Sequence, residues 1–86
     1  MFMTMSINSD SFFTTDFYVA ALIIASGSPI LTINRDSKNI ASFVFNITTY
    51  EADSIVENHF NKTLVLPTKD VIDAIRTLKN RLHLGV

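Results

Sequence analysis

The sequence predicts an α+β domain: an antiparallel sheet of three strands, or four if a short late segment pairs, with helices packed mainly on one face. Three observations lead there. Apolar residues alternate with mostly smaller or polar ones over Ala41, Phe43, Phe45 and Ile47, the period of a strand with one face buried. Two later stretches switch to helical spacing, Ala52, Ile55, Val56 and Phe60, then Val71, Ile75, Leu78 and Leu82. Turn and cap residues separate these runs, and 86 residues of which 48% are apolar supply one core. The order is β-α-β-β-α-(β)-α.

Taken along the chain, residues 1–10 show no sustained period and read as a flexible leader or short edge strand before a single domain at 11–86. Phe12-Phe13-Thr14 is a short strand. Thr15 and Asp16 supply a hydroxyl and a carboxylate for a helix amino end, and the helix runs from Asp16 to about Ser26. Gly27 stands where a left-handed stop is needed, with Pro29 beyond it. Ile30–Arg35 and Ile40–Ile47 form a hairpin around Asp36-Ser37-Lys38-Asn39. Thr48 and Glu51 have capping-box spacing and open a second helix, Thr49 to about Asn61. Thr63–Leu66 reads as an extended segment stopped by Pro67, a candidate fourth strand, and Thr68 caps a third helix reaching about His83.

The first helix poses a burial problem. Phe17 through Ala25 are apolar on every side, and such a helix must be covered all round. A domain of this size buries only about 60–65% of its unfolded surface, so full enclosure is demanding. Each large side chain left in water costs about 1.5–3 kcal/mol, which association recovers. Tyr18, Val19, Leu22 and Ile23 are the expected protein-interface residues; the alternative is that the helix lies centrally between the sheet and the other two helices.

Charge is also uneven. Residues 1–60 hold six acids against two bases, whereas residues 61–86 hold two acids against five bases. On the last helix Lys69, Arg76, Lys79 and His83 share one stripe with Ile72, which makes them candidate nucleic-acid contacts. Solvated cations near a helix carboxyl end also complement its dipole, and Asp73 is placed to pair with Arg76. No aromatic residue interleaves with the stripe, so a stacking platform for single strands is missing.

Other chemistries are excluded. With no cysteine there is no disulfide, thiol nucleophile or thiolate metal site. His59, inside the apolar stripe of the second helix, is expected as a partly buried, hydrogen-bonded side chain. Neither histidine has ligand spacing, so no metal is expected. Two glycines, Gly27 and Gly85, cannot build a phosphate loop or a nucleophile elbow, and the paired acids sit at helix amino ends. No enzyme, catalytic residue or cofactor is expected. The apolar stretch Phe17–Ile33 is interrupted by Ser26 to Pro29, too soon to span a membrane. The first base is Arg35, so the positive region of a secretory leader is missing, no such leader is expected, and the expected location is the cytoplasm. The glycosylation-like triplets at Asn46 and Asn61 are then accidental.

The run Phe12-Phe13-Thr14-Thr15-Asp16, the Ala20-Ala21 helix ended by Gly27, the hairpin strand Phe43-Val44-Phe45 and a last helix entered through Pro67 and holding Lys79 together resemble a family. It is the group of small bacterial and phage proteins called domain of unknown function 5659. The resemblance spans residues 12 to about 83 and departs at the hairpin turn, which lacks the family's glycine. It implies no activity and no site residue. The functional expectation is a small non-enzymatic, oligomerising or subunit-type interaction domain, a homo-oligomer in the simplest case. The alternative is a nucleic-acid-binding accessory using the basic face of the last helix.

Overall fold

The computed structural model describes residues 11–83. Six elements follow in order: β1 (Phe12–Thr14), α1 (Phe17–Ala25), β2 (Ile30–Arg35), β3 (Ala41–Phe45), α2 (Thr49–Phe60) and α3 (Thr68–His83). The strands form one antiparallel sheet in the order β1-β3-β2, so the hairpin strand β3 lies centrally and both its neighbours are edges. The leader expected at residues 1–10 lies outside the described residues.

Local chemistry sets most boundaries where the sequence places them. Asp16 Oδ1 accepts from the amides of Tyr18 at 2.9 Å and Val19 at 3.1 Å, so the carboxylate rather than the Thr15 hydroxyl caps α1. The helix ends as its glycine requires: Gly27 takes φ 111°, and the amides of Gly27 and Ser28 donate to the Ile24 and Ile23 carbonyls. In the hairpin turn, Asn39 at φ 66° takes the left-handed position that a glycine would occupy, and Asp36 Oδ1 accepts from the amides of Lys38 and Ile40. The capping box is complete: the Glu51 amide donates to the Thr48 hydroxyl, and the Thr48 amide donates to the Glu51 carboxylate.

Register explains the sheet's two faces. Phe12 pairs with Phe45, Phe13 with Val44 and Thr14 with Phe43. Across the other side of β3, Ile33 pairs with Phe43 and Ile30 with Phe45, although Ile30 and Ile33 are three positions apart. A bulge between Ile30 and Thr32 makes this work. It adds one residue to β2, so both isoleucines reach the helix side while Leu31 is pushed into solvent.

The helices cover one face only. Ala20, Ala21 and Ile23 of α1 meet Ile33, Phe43 and Phe45 below, with Ala52 of α2 and Ala74 and Leu78 of α3 completing the core. The Phe17 ring sits edge-on to Phe43 at a centroid distance of 6.3 Å. α1 packs most extensively on α3. Alanines at 20, 21, 52 and 74 let helix backbones approach closely, which is how so short a chain covers most of a wholly apolar helix. Two layers fit the shortest extent of 18 Å.

Three expectations need correction, and the open question of a fourth strand is answered. Ile23 is fully buried within its own chain and offers nothing to a partner. Thr63–Leu66 is extended but pairs with no strand, because the Thr63 and Leu64 amides are already spent on the Asn58 carbonyl that closes α2. α3 starts at Thr68 itself, with the Pro67 carbonyl accepting from the Asp70 and Val71 amides, so Thr68 is inside the helix rather than its cap. Phe60 and His59 both stand in solvent, since the last turn of α2 projects past the core that receives Ala52 and Ile55. Their rings lie against each other at 5.3 Å between centroids.

Candidate interaction surfaces

The first surface is the face of α1 turned from the core. Tyr18 is 65% exposed, Val19 and Leu22 are half-buried, and Val19 also packs against the core. Tyr18 and Leu22, four residues apart, therefore form a narrow ridge rather than the broad patch the composition suggests. The Tyr18 ring stands edge-on to Phe17 at 5.1 Å, which anchors it at one end.

The second surface is the side of the sheet without helices. Strand alternation sends Phe12, Phe43 and Phe45 inward and so sends Phe13 and Val44 outward. These two are direct cross-strand partners, Thr32 of β2 is Val44's partner on the other side, and Leu31 is the bulged residue between Ile30 and Thr32. Phe13 is 67% exposed and Leu31 58%. The outward row across the three strands is therefore Phe13, Val44 and Thr32, apolar on two strands, with the exposed Leu31 of the bulge next to Thr32 in the chain. The signal for Phe13 is present in the sequence: in a strand with helices on one side, only one of two adjacent phenylalanines can face the core. Leu31 has no such signal, because its exposure follows from the bulge.

The third surface is the outer side of α3. Ile72, Arg76, Lys79 and His83 are exposed on one stripe, as the spacing predicts. An open depression of about 290 Å³ is lined there by Ile72, Ile75, Arg76, Lys79 and Asn80. Lys69 is drawn to the edge of this group by Asp73, whose Oδ2 accepts from its Nζ at 2.8 Å, while Arg76 Nη1 lies 3.5 Å from the other carboxylate oxygen. The hydrogen bond to Asp73 raises the Lys69 ammonium above its ordinary pKa, and the same bond holds the Asp73 carboxyl below the ordinary carboxylate value. One acid therefore partly neutralises two of the four candidate phosphate contacts.

A second open depression, about 310 Å³, is lined by Asn46, Ile47, Thr48 and Glu51. Its carboxylate and hydroxyl are both engaged in the capping box. Among the described residues no cluster of three or more histidine, aspartate or glutamate side chains is placed to hold a metal, and no helix is long and apolar enough to cross a membrane.

Residues 9–85 match a family described as Domain of unknown function (DUF5659). No curated protein and no solved structure matches the chain.

Proposed function

We propose that this chain, which belongs to the DUF5659 family and takes no activity from it, is a small self-associating interaction domain whose bare sheet face meets a second copy of itself. The observation that supports this is the outward cross-strand pair Phe13 and Val44 together with the exposed bulge residue Leu31. Leaving Phe13 and Leu31 in water forgoes about 1.5–3 kcal/mol for each side chain that a partner surface would cover. The ridge of Tyr18 and Leu22 is a weaker second contact, narrower because Ile23 and most of Val19 serve the core. This reading takes the domain as non-enzymatic.

The competing role, a nucleic-acid accessory through Lys69, Arg76, Lys79 and His83, is weakened by Asp73, which occupies Lys69 and lies near Arg76. A location in the cytoplasm fits the same reading.

Sedimentation equilibrium tests the proposal. The wild type is expected to associate at micromolar concentration, Phe13→Ser/Leu31→Ser to weaken association at least about tenfold, and Tyr18→Ser to weaken it less. A wild type that stays monomeric at high micromolar concentration would refute self-association. A preparation whose absorbance ratio at 260 to 280 nm reveals bound nucleic acid would favour the competing role.

A further inference from the structure

Beyond the sheet face, the two outer helices carry surfaces of opposite sign that do not meet within the chain. On α2, Tyr50, Asp53, Glu57 and Phe60 follow the spacing i, i+3, i+7, i+10, one continuous helix face, and all four are exposed. The two aromatic residues are 80% and 74% exposed. On α3, Ile72, Arg76, Lys79 and His83 follow i, i+4, i+7, i+11 and are likewise exposed. An acidic pair between two aromatic rings therefore stands on one helix, and a basic pair beside an isoleucine on the other.

These faces also match in length. At about 1.5 Å per residue, Tyr50 to Phe60 spans roughly 15 Å and Ile72 to His83 roughly 16 Å. Within one chain they are not partners. Each helix packs on α1, and the ion pairs found among the described residues run from Asp73 to Lys69 and Arg76, all on α3. Asp53, Glu57 and Lys79 make no ion pair in the described structure.

We propose that the acidic-aromatic face of α2 docks on the basic face of α3 of a second copy, and reciprocally, so that two chains related by a two-fold axis exchange both contacts. Charge complementarity selects the occupant: a surface acidic on one helix and basic on the other is complementary to itself when one copy is rotated against another. Glu57 and Asp53 then face Arg76 and Lys79, and Phe60 or Tyr50 covers Ile72 and the open depression beside it. Screening is built into such a contact, because the pairs lie at the rim of apolar groups and the Debye length falls from about 10 Å at 0.1 M salt to about 3 Å at 1 M.

The test isolates this contact from the sheet-face reading by working in the Phe13→Ser/Leu31→Ser background, with folding checked by circular dichroism. Two further double variants are made there: Asp53→Lys/Glu57→Lys, and Arg76→Glu/Lys79→Glu. The parent background is expected to dimerise at low salt and to dissociate as salt rises. Each charge variant alone is expected to associate at least about thirtyfold more weakly, the size of four exposed attractive pairs lost, two in each reciprocal contact. Their equimolar mixture is expected to recover dimers, since acid-for-base on one chain complements base-for-acid on the other. Charge variants that dimerise like the parent overturn the inference, as does a mixture that stays monomeric. A background that is monomeric at low salt overturns it too, while wild-type association lost only with Phe13 and Leu31 leaves the sheet-face reading standing. Recovery of nucleic acid with the parent but not with Arg76→Glu/Lys79→Glu assigns the basic face to phosphates instead and overturns it as well.

Discussion

Helices α1 and α2 both begin with a well-made cap, yet they are held by different forces. α1 has nine residues and buries Ala20, Ala21 and Ile23 completely, whereas α2 has twelve and buries only Ala52 to that degree. A carboxylate on two amides starts the first, and a reciprocal hydroxyl–carboxylate box starts the second. Caps contribute about 1 kcal/mol each, while each large side chain sealed in the core contributes about 1.5–3 kcal/mol. α1 is therefore a product of tertiary packing. α2 depends on its own termini, and its projecting last turns are free for a partner.

The strongest way to break this contrast is to open the core beneath α1. Ile23→Ala is expected to cost about 3 kcal/mol, against about 1 kcal/mol for Val56→Ala on half-buried α2, both read from urea unfolding midpoints at constant slope. Equal losses would mean that α2 is as deeply packed as α1. Next in size, Thr48→Ala should cost about 1 kcal/mol and appear as faster amide exchange confined to α2. Exchange accelerating equally in α1 would contradict the local character of the second helix.

A stabilising change of smaller size lies at the end of α2. Lys62 holds φ 64° where the chain leaves the helix, and the Thr63 amide closes on the Asn58 carbonyl at 2.9 Å. Glycine removes the steric cost of that conformation, so Lys62→Gly should raise stability by about 0.5–1 kcal/mol, with thermal unfolding as the measure. The smallest effect belongs to Asp73. Its folded pKa is lowered, chiefly by the hydrogen bond from Lys69, so its contribution is present above the ordinary carboxylate pKa and is lost as pH falls through the lowered value. Carbon-detected titration should place Asp73 below a free aspartate, and Lys69→Met should move it upward; an unchanged midpoint would show that the ion pair is not maintained in solution.

Elements were legible wherever a residue's neighbours in sequence decide its conformation. Gly27 at a left-handed stop, Thr48 and Glu51 at box spacing, and the alternation of Phe43 and Phe45 each act within a few residues. The misplaced features are those in which a distant surface decides. Phe60 lies in the helical stripe of Ala52 and Ile55, yet no wall of the core extends far enough to meet it. Thr63–Leu66 has the composition of a strand, but its first two amides close α2 on the Asn58 carbonyl and it pairs with neither sheet edge. The basic stripe of α3 was visible as a pattern, and Asp73's hold on Lys69 was not, because a charged helix face offers several pairings of similar spacing.

By itself, then, the amino-acid order determined that an α+β fold forms, where most of its turns and caps fall, and that the first helix would be apolar all round; backbone stereochemistry and side-chain period act locally and can be read locally. Only tertiary structure decided which of those apolar faces is sealed. The bulge at Leu31 turned Ile30 and Ile33 to one side, Ile23 went inward, and Phe13 and Val44 were left on the bare side of the sheet. Burial depends on which surfaces meet across the chain, and that is settled by packing all the elements together.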